Sequence, residues 1–401
     1  MTIRLRNRHA DDPVDLIEVD GEFCVPYEAG QRRYILDLGP FGRVERSWRT
    51  IAAKIALFVP ALFLFILAVQ LMKAGANAVG PQIEGRFPFA NGISTLGAGW
   101  LGAYFVLSGS PVAATAISLF GADVLTKLQT FTMLSGSRLG ASFIVLLTGF
   151  IYATRSKRGR VGSLGIGIQA MTMTALVYVP GMLIGYAIMR AGLLDGLTWH
   201  ASSELEAVLS RLWGPIVDLI EGLVPGWALF PVGLVVILAS FHLLDRVLPE
   251  VNGDATASKR RAWLTQPWTM FALGCLVATL TLSVSVALTV LVPLASKGLV
   301  KRDEALPYIM GANITTLADT LVVAMLQSTP VAAQIVLAEA IGVTIVSVAI
   351  LAFAYDRVKA GVIALDDWLV ASNARLAAFV GVLFLLPITF LLTGLVYTTQ
   401  G

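Results

Sequence analysis

Charged residues are scarce in this sequence. Asp, Glu, Lys and Arg make up only 14% of its 401 residues, whereas 56% of the residues are hydrophobic. A water-soluble protein carries about 25% charged residues, because its surface has to be hydrated. We therefore expect much of the surface of this protein to face lipid.

Cysteine and histidine are also rare, and the net charge is low. The two cysteines, Cys24 and Cys275, fall in a polar segment and in an apolar stretch, so no disulfide is predicted. The three histidines (His9, His200 and His242) have no partner at metal-ligand spacing, so neither a metal site nor another cofactor is predicted. A net charge of +3 is too small to indicate nucleic-acid binding. No nucleophile–base pair indicates an enzyme.

Long apolar runs occupy most of the sequence. A transmembrane helix needs roughly 20 consecutive apolar residues. The clearest candidates are residues 51–72, 143–153 with the residues before them, 165–189, 228–244, 306–326, 331–354 and 376–396. Two further stretches, 92–120 and 268–295, are apolar but interrupted by small polar residues. The sequence predicts a multi-pass protein of the cell membrane, with the lipid bilayer as a partner.

The basic residues indicate how the chain crosses the membrane. They cluster at Arg43, Arg46 and Arg49; at Arg155, Lys157, Arg158 and Arg160; at Lys259, Arg260 and Arg261; at Lys301 and Arg302; and at Arg357 and Lys359. Such clusters favour the cytoplasmic side. All five clusters can lie in the cytoplasm only under one condition. Residues 92–120 must enter and leave the membrane on the outer side, and residues 268–295 must enter and leave it on the inner side. Each stretch is then a re-entrant hairpin, since arms of about 14 residues reach ~21 Å, less than the ~30 Å hydrocarbon core.

The two interrupted stretches resemble each other. A Leu-Ser-Gly-Ser run begins at Leu107, and a Leu-Ser-Val-Ser run begins 175 residues later at Leu282. The same offset relates Gly136 to Gly311. Related halves of opposite orientation are typical of inverted-topology transporters. The predicted fold is an all-α polytopic membrane protein with two inverted-topology repeats. Each repeat contains a transmembrane helix, a re-entrant helical hairpin and a glycine-started helix.

This prediction divides the chain into five segments. In order, they are a cytoplasmic N-terminal extension with short strands or turns (1–50), repeat 1 with its hairpin at 92–120 (51–160), a linking span with an outer amphipathic segment (161–226), repeat 2 with its hairpin at 268–295 (227–326) and the C-terminal spans (327–401).

The hairpin tips are the first candidate site. Irregular backbone at membrane depth is tolerated only where it is buried or lines a wet cavity. In the first tip, Gly109 and the proline after Ser110 loosen the helix, and the hydroxyls of Ser108 and Ser110 can bind a ligand. Ser283 and Ser285 occupy the second tip. The alternative interpretation is that these small residues only allow close helix packing.

The two glycine-containing segments carry further polar side chains. Hydroxyls and an amide at a helix start suit the coordination of Na⁺ or of an oxyanion. The candidates are Ser137, Arg138 and Ser142 in the first half and Asn313, Thr315 and Thr316 in the second half.

Arg138 and Asp319 are charges within predicted spans, where a charge is costly and is expected to face the protein interior or water. Three interpretations of Arg138 stay open. It binds an oxyanion substrate with its planar guanidinium, or it replaces a coupling cation, or it forms a purely structural ion pair with Asp319. Glu339, in a later apolar stretch, is either a proton site or a hydrogen-bonded packing residue.

These segments resemble those of the sodium/phosphate cotransporter family, specifically the type II cotransporters and their bacterial relatives. Members have two inverted repeats, each with a Gln-Ser-Ser-Ser hairpin followed by a Gly-Ala-Asn-Ile-Gly-Thr-Thr helix start. The run Gly-Ala-Asn-Ile-Thr-Thr at 311–316 is the closest match, and the resemblance covers roughly residues 55–155 and 230–325. It implies that both segments form phosphate and sodium sites.

The chain also departs from the pattern of that family. Leu107 and Leu282 stand where the family has glutamine, Gly109 and Val284 replace the middle serines, and Arg138 replaces asparagine. Two amide side chains and two hydroxyls of the family's sites are therefore missing.

The sequence thus predicts a secondary active transporter that moves a small oxyanion by alternating access. The favoured substrate is inorganic phosphate, and the favoured coupling ion is Na⁺. The predicted substrate residues are Ser108, Gly109, Ser110, Arg138, Ser283, Ser285 and Asn313, and the predicted ion residues are Ser137, Ser142, Asn313, Thr315, Thr316 and Asp319. One alternative is H⁺-coupled or uncoupled transport of another anion or organic solute. Another is a non-transporting sensor or scaffold. Assembly into a homo-oligomer is left open.

Overall fold

The computed structural model describes residues 4–6, 13–15, 17–19, 22–24, 48–83, 89–155, 160–200, 202–247, 266–281, 284–289, 291–292, 301–327 and 329–398. The chain divides into two compact units. The N-terminal unit contains two antiparallel strand pairs. They are β1 (Arg4–Arg6) with β2 (Pro13–Asp15), and β3 (Ile17–Val19) with β4 (Glu22–Cys24).

The rest of the described chain is helical. Its helices are α1 (Trp48–Ile83), α2 (Gly92–Val106), α3 (Ser110–Gly121), α4 (Lys127–Ala141), α5 (Phe143–Arg155), α6 (Arg160–Arg190), α7 (Ser203–Leu223), α8 (Gly226–Val247), α9 (Pro267–Thr281), α10 (Val284–Thr289), α11 (Arg302–Thr315), α12 (Leu317–Met325), α13 (Pro330–Ala349), α14 (Tyr355–Val370) and α15 (Asn373–Thr398). A π-helix, Ile350–Ala354, joins α13 to α14. This confirms the all-α prediction for the larger unit.

Seven helical segments among the described residues are long and apolar enough to cross a membrane. They are Leu57–Ala78, Lys127–Ile151, Leu164–Arg190, Gly226–Leu243, Arg302–Met325, Pro330–Val370 and Asn373–Val396. Only 11% of the apolar window in Asn373–Val396 is buried inside the protein, so most of its apolar side chains face outwards. Such an exposed apolar face is stable in lipid and not in water. The protein is therefore a multi-pass membrane protein, as predicted.

Helices α2 and α3 are separated by a break at the predicted position. Leu107 ends α2 in the left-handed conformation (φ 56°), and Gly109 precedes α3, which begins at Ser110 with Pro111 in its first turn. Proline suits this place because the first turn of a helix leaves its N–H groups unpaired. With 15 and 12 residues, the two arms are only about 22 and 18 Å long.

Helices α2 and α4 pack with their backbones in direct contact. A Cβ on Gly99 of α2 would collide with the carbonyl oxygen of Met133 in α4. A Cβ on Gly136 of α4 would collide with the carbonyl oxygen of Leu96 in α2. Glycine is required at both positions because the facing atoms are backbone and cannot rotate away.

The same pair of contacts recurs between α9 and α11. A Cβ on Gly274 of α9 would collide with the carbonyl oxygen of Tyr308, and a Cβ on Gly311 of α11 would collide with the carbonyl oxygen of Phe271. Each of these four residues lies 175 residues after its counterpart in the α2–α4 contact. Gly274 and Tyr308 correspond to Gly99 and Met133, and Gly311 and Phe271 correspond to Gly136 and Leu96. The offset is the one at which the two sequence segments align.

The prediction that a glycine starts a helix in each half is wrong. Gly136 lies well inside α4, which starts at Lys127 with Thr126 as its cap, and Gly311 lies inside α11, which starts at Arg302. These glycines serve the close contact with the neighbouring helix and do not mark a helix start. The helical path is interrupted a little later, at Ser142 before α5 and at Thr316 before α12.

The predicted amphipathic segment is the helix α7. Its Leu209 and Trp213 are buried, and the Trp213 indole N–H donates to the carbonyl oxygen of Phe63 in α1 at 3.1 Å. Leu212 and Leu219 are exposed. Helix α7 therefore has one face on α1 and leaves apolar side chains outside, while its placement at the outer surface stays a prediction.

Candidate functional site

Arg138 is a fully enclosed charged side chain near the end of α4. Its side chain is only 1% exposed. A guanidinium in such a place is tolerated only when it is paired and hydrogen-bonded, because removing the charge from water is expensive. Its neighbours therefore determine what the site can bind.

Both halves of the chain contribute neighbours to Arg138. Its Nη1 donates to Thr316 Oγ1 at 2.9 Å and to Ser110 Oγ at 3.5 Å. Its Nη2 lies 3.4 Å from Asp319 Oδ1 and donates to Thr320 Oγ1. Ser110 is the first residue of α3, whereas the other three residues lie at the boundary between α11 and α12 or in the first turn of α12. The two predicted intramembrane charges thus form an ion pair.

Asp319 is held in place by the start of α12. Its Oδ1 accepts hydrogen bonds from the Thr320 backbone N–H at 2.5 Å and from the Thr320 hydroxyl at 2.9 Å. The positive end of the helix dipole also favours a carboxylate there. Among the described residues, Asp319 Oδ2 and Arg138 Nε have no hydrogen-bond partner. The cluster therefore keeps one free donor and one free acceptor.

The break between α2 and α3 lies against α4 beside this cluster. A Cβ on Gly109 would lie 2.7 Å from the carbonyl oxygen of Ser137 and 3.0 Å from the Cβ of Ala141. Because Gly109 has no side chain, the N-terminus of α3 can approach Arg138, with Ser110 at the contact. A helix N-terminus presents unpaired N–H groups and the positive end of its dipole.

A second buried polar cluster joins the two interruptions to α6. Asn313 Nδ2 donates to Thr174 Oγ1 at 2.9 Å, and the hydroxyls of Thr174 and Ser142 lie 2.5 Å apart. The Tyr178 hydroxyl donates to the carbonyl oxygen of Asn313 at 2.6 Å. The structure therefore brings the predicted ion residues Ser142 and Asn313 to one place.

Other predicted residues lie outside these clusters. The Ser137 hydroxyl donates to the carbonyl oxygen of Leu134 in its own helix at 2.7 Å, and the Thr315 hydroxyl donates to the carbonyl oxygen of Cys275 at 3.1 Å. Ser108 is partly exposed beside the break. Of the two serines predicted for the second tip, Ser285 lies in α10, and Ser283 lies outside the described residues.

Three residues of the clusters were not found from the sequence. Thr320 follows Asp319 directly, and its place beside a buried acid is the signal that could have identified it. Thr174 and Tyr178 lie in the long apolar helix α6, one turn apart. A hydroxyl in such a helix usually bonds to its own backbone, so only the tertiary contacts reveal their roles.

Comparison with known protein families gives a match to the second half of the chain. The Na⁺/Pi-cotransporter family model matches residues 236–362. This range contains Gly311, Thr316, Asp319 and Glu339, whereas Arg138 lies before it. No curated protein and no solved structure matches the chain.

Proposed function

We propose that the protein is a secondary active transporter of inorganic phosphate and belongs to the Na⁺/Pi-cotransporter family, whose model matches residues 236–362. Na⁺ is the proposed coupling ion, alternating access is the proposed mechanism, and the proposed location of the N-terminus is the cytoplasm. The observation that carries the proposal is Arg138, a buried guanidinium shared by elements of both halves.

The chemistry around Arg138 suits a small oxyanion. A guanidinium presents a planar set of N–H donors that matches phosphate oxygens, and Arg138 Nε has no hydrogen-bond partner among the described residues. The hydroxyls of Ser110, Thr316 and Thr320 surround the guanidinium and can reorient to donate to an anion. The N-terminus of α3 adds a positive partial charge. An incoming oxyanion would share the guanidinium with Asp319.

The cluster of Asn313, Thr174 and Ser142 is proposed as the place for Na⁺. It supplies hydroxyl and amide oxygens, which are the ligands that hard cations take. Ser142 and Asn313 lie next to the two interruptions, so a movement of either half alters the distance between them. Ion binding and movement would thus be coupled.

Two observations support the inverted-repeat arrangement in this proposal. The α2–α4 and α9–α11 contacts use glycines 175 residues apart, with backbone oxygen facing each glycine in both cases. The arms α2 and α3 are shorter than the ~30 Å hydrocarbon core. Hairpins that reach only partway from opposite sides bring their tips together near the bilayer midplane.

Phosphate binding is expected to stabilise the purified protein in detergent. A ligand that binds only the native state adds about 2.7 kcal/mol to the free energy of unfolding at 100 times its Kd. The measurement is the unfolding temperature with phosphate, sulfate or small carboxylates, each with Na⁺ and with choline. Chloride at matched ionic strength is the control. We expect the largest increase for phosphate with Na⁺; an equal response to chloride and phosphate would contradict the proposal.

A further inference from the structure

Glu339 is a buried carboxyl group that the site described above does not use. It lies in α13, is 0% exposed, and neither of its carboxyl oxygens has a hydrogen-bond partner among the described residues. The Ser135 hydroxyl lies close enough to interact with the Glu339 carboxyl, but it donates its single hydrogen to the carbonyl oxygen of Phe131 in its own helix at 3.0 Å. Burial of an ionised carboxylate without donors costs several kcal/mol.

The charges that face Glu339 do not balance if every group is ionised. Arg138 of α4 interacts directly with Glu339. Asp319 of α12 is the ion-pair partner of Arg138, and Tyr178 of α6 is the further titratable side chain that interacts with all three. Arg138 is already held by the Asp319 carboxylate at 3.4 Å. One guanidinium against two carboxylates leaves one negative charge, which a bound cation has to neutralise.

A proton fits the surroundings of Glu339 better than a metal ion. Metal cations held by carboxylates take several oxygen ligands, and the neighbouring guanidinium repels them. The helix around Glu339 is tightly packed on α6: a Cβ on Gly342 would collide with the carbonyl oxygen of Gly181, and one on Gly185 would lie 2.8 Å from the carbonyl oxygen of Ala338. A proton needs only one carboxyl oxygen and no additional space.

We propose that Glu339 is a proton-binding site that couples anion movement to a proton gradient, an inference that rests on the proposed transport function. When the carboxyl is protonated, the Arg138 charge is shared only between Asp319 and the anion. When the proton leaves, the Glu339 carboxylate attracts the same guanidinium and competes with the anion. Proton uptake at one carboxyl oxygen therefore favours anion binding, and proton release on the other side favours anion release.

The first test observes the proton itself and does not depend on transport. The infrared spectrum of the purified wild-type protein at neutral pH is expected to contain the C=O stretch of a protonated carboxyl group. This band should be absent from the spectrum of Glu339→Gln. Glu221→Gln, which makes the same change at an exposed position of α7, should retain the band. A spectrum of Glu339→Gln identical to that of the wild type would overturn the proposal.

The second test measures proton coupling in proteoliposomes that have the same Na⁺ concentration on both sides, so that no Na⁺ gradient drives uptake. An inwardly directed proton gradient is expected to accelerate phosphate uptake several-fold in the wild type and in Glu339→Asp. Glu339→Gln should lose this acceleration but keep phosphate–phosphate exchange, since glutamine resembles the protonated acid. Phosphate itself titrates near neutral pH, so variants are compared at identical pH values.

The outcomes separate the two proposals. Gradient-driven uptake by Glu339→Gln equal to that of the wild type would overturn the role of Glu339 while leaving phosphate transport intact. A wild type that neither takes up nor exchanges phosphate would overturn the transport function, and the infrared band would still decide whether Glu339 holds a proton.

Discussion

Replacement of Arg138 by alanine is expected to reduce phosphate uptake by about 100-fold or more, since charge-assisted hydrogen bonds of roughly 1.5–3 kcal/mol each would be lost. The guanidinium is 1% exposed and contacts residues of both halves, so no nearby solvent replaces it. The measurement is the initial rate of labelled phosphate uptake into proteoliposomes. The unfolding temperature of the same preparations gives their stability.

A matched double variant separates ligand binding from stability. Removal of Arg138 alone leaves Asp319 as an unpaired buried charge, which lowers the free energy of unfolding by about 3–5 kcal/mol, whereas neutralising both partners is often tolerated. Arg138→Met combined with Asp319→Asn should therefore regain stability and still fail to take up phosphate. Uptake at the wild-type rate by the double variant would show that the Arg138–Asp319 pair is purely structural.

Replacement of Gly136 by alanine is expected to lower the free energy of unfolding by at least about 3 kcal/mol. Overpacking of a core typically costs 1–3 kcal/mol and occasionally more, and here the new methyl group meets the backbone carbonyl of Leu96, which cannot rotate away. Gly311→Ala should have a similar effect, because its methyl group meets the carbonyl of Phe271. Thermal unfolding in detergent measures both variants.

The matched controls are Gly361→Ala in α14 and Gly381→Ala in α15, where nothing lies within 4 Å of an added Cβ. Alanine favours a helix by up to about 1 kcal/mol over glycine, so these variants should unfold at the wild-type temperature or slightly above it. Equal behaviour of Gly136→Ala and Gly361→Ala would contradict the close α2–α4 contact.

The parts of the fold that could be predicted from the sequence follow from local chemistry. Apolar runs predict membrane helices because lipid demands them, and the serine, glycine and proline at 108–111 predict a break because they weaken a helix locally. The structure confirms the membrane helices and the break. Arg138 and Asp319 could be singled out because a charge within an apolar span requires a partner.

The helix bounds around Gly136 and Gly311 could not be predicted in the same way. A glycine near small polar residues is compatible with a helix start and with close packing inside a helix, and only the neighbouring helix decides between them. The carbonyl oxygens of Leu96 and Phe271 supply that information. Thr174 is a similar case, because its hydroxyl acquires a role only through contact with Ser142 and Asn313.

The most direct test of the account is phosphate uptake into proteoliposomes under an inwardly directed Na⁺ gradient, compared with choline in place of Na⁺. We predict that phosphate accumulates against its gradient with Na⁺ outside. The Arg138→Met/Asp319→Asn variant, although folded, should not accumulate it. Absence of phosphate accumulation by the folded wild type under both the Na⁺ gradient and a proton gradient would contradict the central claim that this protein is a phosphate transporter.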